Sequence, residues 1–538
     1  MEKQVYLCIK MLNVFWKNIR VMAWEGCAMK QGLNAVCYEQ EMHIYFERAT
    51  SLMEAEVYEI TLSDGQCIQT KKTNASFYKL KENTSYEVKL FLCQDGRKAL
   101  LDETVFTTTA FQPRLDVTKA PYCAVGDGKT MNTEALQKAM DEADGRVVYF
   151  PAGRYVTGAL TLHSGTELYL EEDAMIVGSD APKDYLPLVP SRSEGLHMMC
   201  YQSLINVGDI DKDGGCNAKD ITIRGGSIMG GGIALMERME EEAIEFTKDY
   251  IDSLSEEGLA TFDRGIDTIN GRLRGRLIEM RNTENVVISN VSLGKGPYWN
   301  LHFIYCDNVL VHGCNINTRG IHNGDGLNPD SSTNVTVFDC SFDTGDNCIA
   351  IKSGRNPEGN VVNRPTKHVR IFDIKGAGGG VAIGSELSGG CEDVRAWNLD
   401  LSMSSLGFGI KTTRKRGGLI KDIHVYDSTM PNIRLSAAYT CNNDGAGAKE
   451  LTRLEDISYE NCVILGQGYT IFYGEENINK FEKTDVPSIL IIGFDDEQTF
   501  KNIAFSNLKL KKKEHDARHS FEVDNLSGID FGSMTTIE

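Results

Sequence analysis

The chain has 538 residues, of which 41% are hydrophobic and 25% are charged, and its formal net charge is −20. No apolar run approaches the roughly 18 residues that a membrane span needs, so no insertion into a membrane is expected. The negative charge would repel nucleic acids and anionic membrane surfaces, and neither is predicted as a partner.

The fifteen cysteines are scattered singly and form no CxxC pair, which disfavours a zinc site or a redox motif. We interpret them as reduced, buried thiols of a cytoplasmic protein rather than as disulfides. The apolar stretch from Val5 to Phe15 is interrupted by Lys10 and Asn13, and no small-residue cleavage pattern follows it. It is therefore a poor signal peptide, and a secreted protein is the alternative.

The first part of the chain has a β pattern. Residues 1–32 are expected to be a segment of uncertain order. Short alternating strands separated by turns then fill residues 33–112 and predict an all-β unit. The segment from Leu80 to Tyr86 resembles the tyrosine corner of fibronectin type III domains, so a small β-sandwich is predicted here.

A second domain is predicted over residues 113–538, after a linker at about Phe111 to Ala120. Asn132 is expected to cap a short helix from Thr133 to about Asp144. Such a helix would shield the backbone of the first coil at one end of a solenoid.

One short sequence recurs nine times in this domain: KDITIRGGSI, ENVVISNVSL, DNVLVHGCNI, TNVTVFDCSF, KHVRIFDIKG, EDVRAWNLDL, KDIHVYDSTM, EDISYENCVI and KNIAFSNLKL. The intervals between copies are 65, 23, 26, 34, 25, 29, 34 and 46 residues. Periods of about 20 to 50 residues indicate a solenoid, and the shortest interval leaves no room for a helix. The main rival is a leucine-rich repeat, but its Leu-x-x-Leu-x-Leu signature is missing.

We therefore predict an all-β protein, a right-handed parallel β-helix preceded by the small β-sandwich. Stacked coils of this kind form parallel sheets with strands about 4.8 Å apart. The longest interval holds an insertion at about residues 233–262, in which apolar residues recur at helical spacing. These are Leu235, Met239, Ala243, Phe246 and Tyr250. A helix packed on the solenoid, which could border a cleft, is predicted.

Two aspartates lie in neighbouring coils, Asp325 in NGDGLNPD and Asp346 in TGDNCIAIKSG. They are 21 residues apart, close to one period, so both carboxylates are expected to project into one site. Two close carboxylates raise each other's proton affinity, which allows one to act as an acid and the other as a base. The spacing alone leaves two alternatives open, namely polar turn residues that satisfy the coil backbone and a calcium site.

The run GDGLNPDSS…GDNCIAIKSG, followed by GGGVAIGSELSGG and GFGIKTTRKRGG, resembles the polygalacturonase family, glycoside hydrolase family 28. The similarity extends from about Ala120 to Leu510, and the four motifs occur in the family's order. Some bacterial exo-acting members carry an N-terminal fibronectin-like domain. The resemblance implies a pectin-lyase-like β-helix that hydrolyses a glycosidic bond in one inverting step, with no metal and no cofactor.

The resemblance also implies roles for single residues. Asp325, in the N-x-D motif that Asn323 begins, positions and deprotonates the attacking water. Asp346 is the general acid that protonates the leaving oxygen. The second aspartate of the family's pair falls on Asn347, which cannot act as a base.

Two further family positions differ in this chain. The histidine of G-H-G falls on Gly379, and the arginine of R-I-K falls on Gly409, so that Lys411 is the charged residue left in that motif. Rhamnogalacturonan-cleaving relatives also lack the histidine and the arginine, although a glutamate stands where this chain has Asn347. Retained catalysis with an altered sugar beyond the cleaved bond is therefore implied.

Several cations are candidates for binding an acidic sugar. Lys411 and Lys352 are the expected partners of a substrate carboxylate, and pairing of Lys352 with Asp325 or Asp346 is the alternative. Lys411 also begins a candidate cationic cluster that continues with Arg414, Lys415 and Arg416. In a protein of strongly negative charge, such a cluster would draw an anionic substrate to the site.

Three aromatic residues are further candidates. Tyr439 falls where a family aromatic contacts sugar, and a core tyrosine is the alternative. His302 and Tyr305 lie one coil before Asp325 and are predicted to line the donor pocket.

Together these observations predict an exo-acting, inverting glycosidase that cleaves galacturonosyl linkages in pectic oligosaccharides. One alternative is a hydrolase of rhamnogalacturonan or of another glycoside. A second is an inactive member that only binds sugar. A third is a polysaccharide lyase, with Lys411 as its base and with Asp325, Asp330 and Asp346 as calcium ligands.

Overall fold

The structure is a computed structural model that describes residues 32–48, 51–52, 54–262, 264–439, 444–494, 497–511, 521–524 and 529–537. Apart from Gly32, the N-terminal segment predicted at residues 1–32 lies outside the described residues. The chain divides into two compact units between Pro113 and Arg114. No helix in the described ranges is long and apolar enough to cross a membrane.

The first unit contains two antiparallel sheets. One consists of Asn34–Cys37, Glu41–Tyr45 and Asn74–Tyr78, and the other of Val57–Leu62, Cys67–Thr70, Ser85–Gln94 and Arg97–Thr107. Alternate residues such as Ile60, Val88 and Leu90 are buried in its core. The hydroxyl of Tyr86 accepts a hydrogen bond from the backbone N–H of Lys81 at 2.8 Å. That bond is typical of a tyrosine corner, and membership of the fibronectin type III class stays a prediction.

The second unit is a parallel β-helix in which most coils contribute one strand to each of three long sheets. The first sheet consists of Arg114–Asp116, Val147–Phe150, Glu167–Leu170, Ala218–Arg224, Thr283–Ser289, Asp307–His312, Thr333–Phe338, Thr366–Phe372, Cys391–Trp397, Leu419–Tyr426, Arg453–Glu460 and Phe500–Ser506. The second consists of Asp127–Met131, Gly153–Thr157, Ala174–Gly178, Ser227–Met229, Ser292–Gly294, Asn315–Asn317, Ser341–Asp343, Lys375–Gly378, Asp400–Ser404, Thr429–Met430, Val463–Ile464, Leu508–Lys511 and Met534–Ile537.

The third sheet carries the candidate site. It consists of Leu160–Leu162, Ile205–Val207, Ile278–Arg281, Leu301–Ile304, Leu327–Asp330, Ile349–Ile351, Val381–Ile383, Phe408–Lys411, Ile433–Ser436, Ile489–Ile492 and Phe521–Asp524. Two antiparallel hairpins lie outside these sheets, Val189–Ser193 with Leu196–Cys200 and Gln467–Tyr469 with Lys483–Asp485. The all-β, parallel β-helix class predicted from the sequence is confirmed.

The nine sequence repeats are nine consecutive strands of the first sheet. Their β-branched third residues pair with one another in register from coil to coil, in the order Ile221, Val286, Val309, Val335, Val369, Val394, Ile423, Ile457 and Ile503. All nine are buried in one core that runs along the solenoid. The stack therefore fixes which residues of neighbouring coils face each other.

The polar residue before each of these branched residues has a left-handed backbone. The nine residues are Asp220, Asn285, Asn308, Asn334, His368, Asp393, Asp422, Asp456 and Asn502, with φ between 53° and 60°. Among side-chain-bearing residues, asparagine, aspartate and histidine adopt this conformation most readily. The conformation explains why the repeat places a short polar residue before the branched one.

A helix covers the beginning of the solenoid, as the sequence predicts, and it spans Thr133–Asp141. It buries Leu136, Ala139 and Met140 against the core. Asn132 does not cap it through its side chain, and that expectation is wrong. The Asn132 amide instead exchanges hydrogen bonds with the backbone of Val125 in the preceding loop.

The insertion is helical, but it is a series of short helices rather than one. They are Gly232–Glu242, Ile244–Asp252, Glu256–Leu259 and Ile266–Gly271. The other short helical segments are Glu358–Val362, Pro182–Tyr185 and Glu475–Asn477.

The apolar face predicted for the insertion holds only in part. Leu235, Met239 and Ala243 join the solenoid core. Phe246 and Tyr250 are 48% and 50% exposed, because the helix breaks at Ala243 and the next helix turns these side chains outward.

Candidate active site

Asp325 and Asp346 lie on equivalent turns of adjacent coils, each just before a strand of the third sheet. Leu327 pairs in register with Ile349, so the coil at this point is 22 residues long. Counting back two residues places Asp325 level with Asn347, and the backbone N–H of Gly326 donates to the Asn347 carbonyl at 2.9 Å. Asp346 therefore lies one residue earlier in its turn than Asp325 does, and its charge acts on the Asp325 carboxyl.

Asp325 is buried, with 2% of its surface exposed. Its Oδ2 atom lies 3.5 Å from the Lys352 ammonium and makes no hydrogen bond with the described residues. Burial raises the pKa of Asp325 to about 8, and the negative charge of Asp346 adds to the increase while Lys352 opposes it. The carboxyl of Asp325 therefore retains a proton at neutral pH.

The position of the Lys352 ammonium explains why its positive charge does not keep Asp325 ionised. Its ammonium donates a hydrogen bond to Glu386 Oε2 at 2.9 Å and so lies closer to Glu386 than to Asp325. Burial alone would raise the pKa of Glu386, but Lys352 and the Arg416 guanidinium hold that pKa below its usual range. One ammonium thus serves two carboxyl groups, and the nearer one takes most of its stabilisation.

Asp346 is partly exposed, and its side chain is held by its neighbour Asn347. Asp346 Oδ1 accepts hydrogen bonds from the Asn347 backbone N–H at 2.8 Å and from the Asn347 side-chain amide at 2.9 Å. Asn347 therefore orients the carboxyl of Asp346 by donating to it, which an aspartate at the same position could do only through its backbone.

Gly379 packs directly against this turn. Its backbone N–H donates to the Asp346 carbonyl at 2.6 Å. A Cβ atom at position 379 would lie 2.6 Å from the Asn347 nitrogen and 2.6 Å from the Asp346 carbonyl carbon. With this backbone, position 379 has no room for the histidine that the resemblance places there, or for any other side chain.

Lys411 lies beside Asn347. Its ammonium is 3.5 Å from Asn347 Oδ1 and 5.3 Å from the ring centroid of Tyr439. Lys411 and Tyr439 are both partly exposed and so can contact a bound sugar. These two candidates therefore lie together beside the turn that carries Asp346.

The other members of the predicted cationic cluster are dispersed. Arg414 is exposed and lies over the ring of Phe494 at 5.6 Å. Arg416 is fully buried, where it donates to Ser385 and Asn356 at 2.8 and 2.6 Å. The prediction of one cationic patch from these four charges is wrong, because Arg416 is buried whereas Arg414 is exposed.

His302 and Tyr305 are 0% and 1% exposed, so neither has surface with which to contact a sugar in this structure. His302 lies 3.4 Å from Asp330, and the Tyr305 hydroxyl lies 3.1 Å from His197. Tyr305 lies against the hairpin formed by Val189–Ser193 and Leu196–Cys200, since Arg192 of this hairpin lies 5.2 Å from its ring centroid.

This hairpin covers the earlier coils of the third sheet. Arg192 donates to Asp330 Oδ1 at 3.0 Å, and the backbone N–H of Arg355 donates to the Gly195 carbonyl at 3.0 Å. Arg192 and Asp330 are completely buried. Sequence reasoning missed this cover, since its contacts join residues more than a hundred positions apart.

Asn323 is held by Arg274, which follows the last helix of the insertion. Its Oδ1 accepts a hydrogen bond from Arg274 at 3.0 Å and lies 2.6 Å from His322 Nδ1. The ring of His322 lies 4.8 Å from that of Tyr473. The loop that holds His322 and Asn323 packs tightly against the turn that carries Asp346. A Cβ atom at Gly345 would collide with the carbonyl oxygen of Ile321 in this loop.

The acidic residues of the site do not form a metal centre. Throughout the described ranges, no group of three or more His, Cys, Asp or Glu side chains is placed to hold a metal ion. Asp330, one of the calcium ligands considered for a lyase, is paired with Arg192 instead.

Comparison with known proteins identifies the family. The family model described as glycosyl hydrolases family 28 matches residues 262–463, which include both aspartates. A second one, described as rhamnogalacturonase A/epimerase, pectate lyase-like, matches residues 120–170. A probable polygalacturonase of Vitis vinifera is 32% identical over 364 residues, covering 64% of this chain and 67% of that protein. The chain belongs to glycosyl hydrolase family 28.

Other known proteins resemble this glycosidase over more of its length. An exo-poly-alpha-D-galacturonosidase of Dickeya chrysanthemi is 28% identical over 475 residues, covering 81% of this chain and 78% of that protein. The structure of a family 28 exopolygalacturonase of Yersinia enterocolitica superposes with a TM-score of 0.73 at 22% identity, covering 94% of this chain and 96% of that one. An exopolygalacturonase of Thermotoga maritima gives a TM-score of 0.61 at 22% identity, with coverages of 78% and 91%. These likenesses support the fold of this family 28 member.

Proposed function

We propose that this family 28 glycosidase hydrolyses galacturonosyl linkages of pectic oligosaccharides, from a chain end and with inversion of configuration. The observation that carries the proposal is the pair of aspartates on adjacent turns of the third sheet, with Lys352 beside one and Lys411 near the other. Two carboxyl groups and flanking cations are the groups that hydrolysis of an acidic glycan requires. The names of the Vitis and Dickeya relatives, a polygalacturonase and a galacturonosidase, support the same substrate class.

In the proposed mechanism, Asp346 donates a proton to the leaving oxygen and Asp325 removes a proton from the attacking water. The step starts with the pair's single proton on Asp346 and with Asp325 ionised, so the proton that the raised pKa places on Asp325 up to about pH 8 must first transfer to Asp346. Asn347 does not act as a base. Its amide orients Asp346 through the hydrogen bond at 2.9 Å.

Exo action is supported by the cover over the earlier coils. The outward-facing residues of the third sheet on that side, Glu279, His302 and Asn328, are all buried. Beyond Asp346 the same column of residues passes through Ala382 and Gly409 to Arg434, which is half-buried. A groove closed on one side of the cleaved bond accepts the end of a chain and excludes its middle.

The location in the cell belongs to the proposal as well. Twelve of the fifteen cysteines lie in the described residues and none of these twelve forms a disulfide, which supports a reducing compartment. A cytoplasmic enzyme would receive short imported oligosaccharides, and these suit exo action. Fractionation of the producing cells tests this point, and recovery of the protein in the medium would contradict it.

A product screen tests the proposed function. Purified protein is incubated with defined oligogalacturonides, rhamnogalacturonan fragments and uncharged glycosides, and the released sugars are separated and identified. We expect monogalacturonate, or another single small unit, from the galacturonides from the first minutes onward. NMR of the first-formed anomer reports inversion. Internal fragments of many lengths would contradict exo action, and binding without any release would favour a carbohydrate-binding member.

A further inference from the structure

Two cations near the aspartate pair form no ion pair with the described residues. Lys411 and Arg434 border one small recess, together with Gly379, Gly407 and Gly409. In the part of the chain that the structure describes, Lys411 makes no ion pair; its ammonium lies 3.5 Å from the neutral Asn347 amide oxygen and 5.3 Å from the ring centroid of Tyr439, and its charge acts on Asp325 at longer range. The Nε atom of Arg434 is buried there without a hydrogen-bond partner in the described ranges. In a protein of charge −20, two neighbouring cations of this kind indicate a site for an anion.

The register of the third sheet explains how Arg434 reaches this place. Gly409 pairs with Arg434 on the next coil. Phe408 and Ile433, the residues before them, are buried in the core, so Gly409 and the Arg434 side chain lie on the opposite, outward face of the sheet. Neighbouring strands are only about 4.8 Å apart, so the side chain of an arginine on the next coil can reach the space above Gly409.

The glycine at position 409 is required for this arrangement. A Cβ atom there would lie 2.7 Å from the Arg434 carbonyl oxygen and 3.3 Å from the Arg434 Cβ atom. A larger residue at 409 would therefore push against the residue that carries the guanidinium. A side chain at position 409 and the observed position of Arg434 therefore exclude each other sterically.

We propose that Arg434, together with Lys411, binds the carboxylate of the uronic sugar next to the cleaved bond. This inference rests on the proposed function and makes it more specific. It requires an acidic sugar beyond the cleaved bond, whereas Gly409 in place of the family's arginine had suggested an altered sugar there. Arginine presents a planar pair of N–H donors that matches a carboxylate, and Lys411 adds a second charge from the neighbouring coil.

The test compares Arg434→Ala, Arg434→Gln and Arg434→Lys on oligogalacturonides and on the same oligomers with methyl-esterified carboxyl groups. We expect kcat/KM of Arg434→Ala and Arg434→Gln to fall at least about tenfold on the acidic oligomers and less than about threefold on the esters. Arg434→Lys should recover part of the loss. Arg154→Ala, which removes an exposed arginine at the beginning of the solenoid, is the matched control and should change kcat/KM by less than about twofold.

Equal losses on acidic and esterified oligomers would show that Arg434 has only a structural role, and no loss on either would also overturn the proposal. Calorimetric binding of trigalacturonate to Asp346→Asn, with and without Arg434→Gln, separates this result from the proposed function. Tighter binding with Arg434 present, but no hydrolysis by the unmodified protein, would overturn the proposed function and leave the carboxylate site supported. Hydrolysis that does not depend on Arg434 would support the proposed function and overturn the carboxylate site.

Discussion

Asp325 Oδ2 lies 3.5 Å from the ammonium of Lys352, yet burial raises the pKa of Asp325 to about 8. The charge of Lys352 offsets the effect of burial only in part, because the same ammonium lies nearer to Glu386, at 2.9 Å. The buried end of the site therefore contains one cation and two carboxyl groups, and one of the carboxyl groups remains protonated at neutral pH. The way this proton is held determines several measurable properties.

The pH dependence of activity should show the loss of this proton. Since the aspartate pair needs one proton, kcat/KM should fall about tenfold per pH unit above the pKa of Asp325, about 8. Glu386→Gln removes the competitor for Lys352 and one negative charge, so the pKa of Asp325 and the falling limb should both move to lower pH. Rates measured from about pH 4 to 10 check this. Glu237→Gln, an exposed change of the same kind, is the control, and an equal shift in it would contradict the explanation.

The two aspartates should respond differently to the leaving group. Asp346→Asn and Asp325→Asn are each expected to reduce kcat on an oligogalacturonide by roughly 10²-fold or more. An aryl galacturonide with an acidic phenol needs little proton donation, so Asp346→Asn should lose much less activity on it, whereas Asp325→Asn should lose as much as before. Identical losses of the two variants on both substrates would contradict the assigned roles.

Asp325→Asn should also stabilise the fold. The pKa of Asp325 is raised from 3.8 to about 8, so between these values the native protein holds a proton that the unfolded chain has released. The free energy of unfolding therefore decreases as the pH rises through that window, and the amide is free of this cost. We expect the melting temperature at about pH 8 to rise by about 2–5 °C, with a smaller difference at about pH 4. A lower melting temperature in the alkaline buffer would contradict the burial argument.

A side chain at position 379 should disturb the acid. The Cβ atom of Gly379→Ala would lie 2.6 Å from the backbone of Asn347, so the turn that carries Asp346 must move. We expect a loss of about 1–3 kcal/mol in stability and a decrease of at least about tenfold in kcat. Gly215→Ala, with no atom within 4 Å of the new Cβ, is the matched control and should leave the stability and kcat nearly unchanged. Full activity of Gly379→Ala would show that the turn is not tightly packed.

The repeats carry enough information to predict most of the solenoid. Each of the nine copies has a left-handed polar residue followed by a buried branched one, and both requirements leave a mark in the sequence. Three earlier strands of the first sheet, Arg114–Asp116, Val147–Phe150 and Glu167–Leu170, lack that mark, so they could not be recognised as coils of the same kind. The helix break at Ala243 likewise leaves no signal strong enough to predict that Phe246 faces outward.

The site was less predictable than the fold. Asp325, Asp346 and Lys411 lie in motifs that could be recognised one coil at a time. Glu386 and Arg434 were missed because their importance depends on which atoms of other coils they approach, such as the Lys352 ammonium at 2.9 Å from Glu386. Such contacts can be read from the register between strands. A sequence motif does not reveal them, because the coils differ in length through insertions in their loops.

The pairing of Gly409 with Arg434 has a consequence for how such an enzyme can diverge. The step between neighbouring strands, about 4.8 Å, is shorter than an extended arginine side chain, so the same point in space is within reach of two residues. A charged group can therefore be lost from one coil and regained on the adjacent one without any movement of the backbone. In a parallel β-helix, a missing residue in an aligned motif does not establish that its chemical group is missing from the groove.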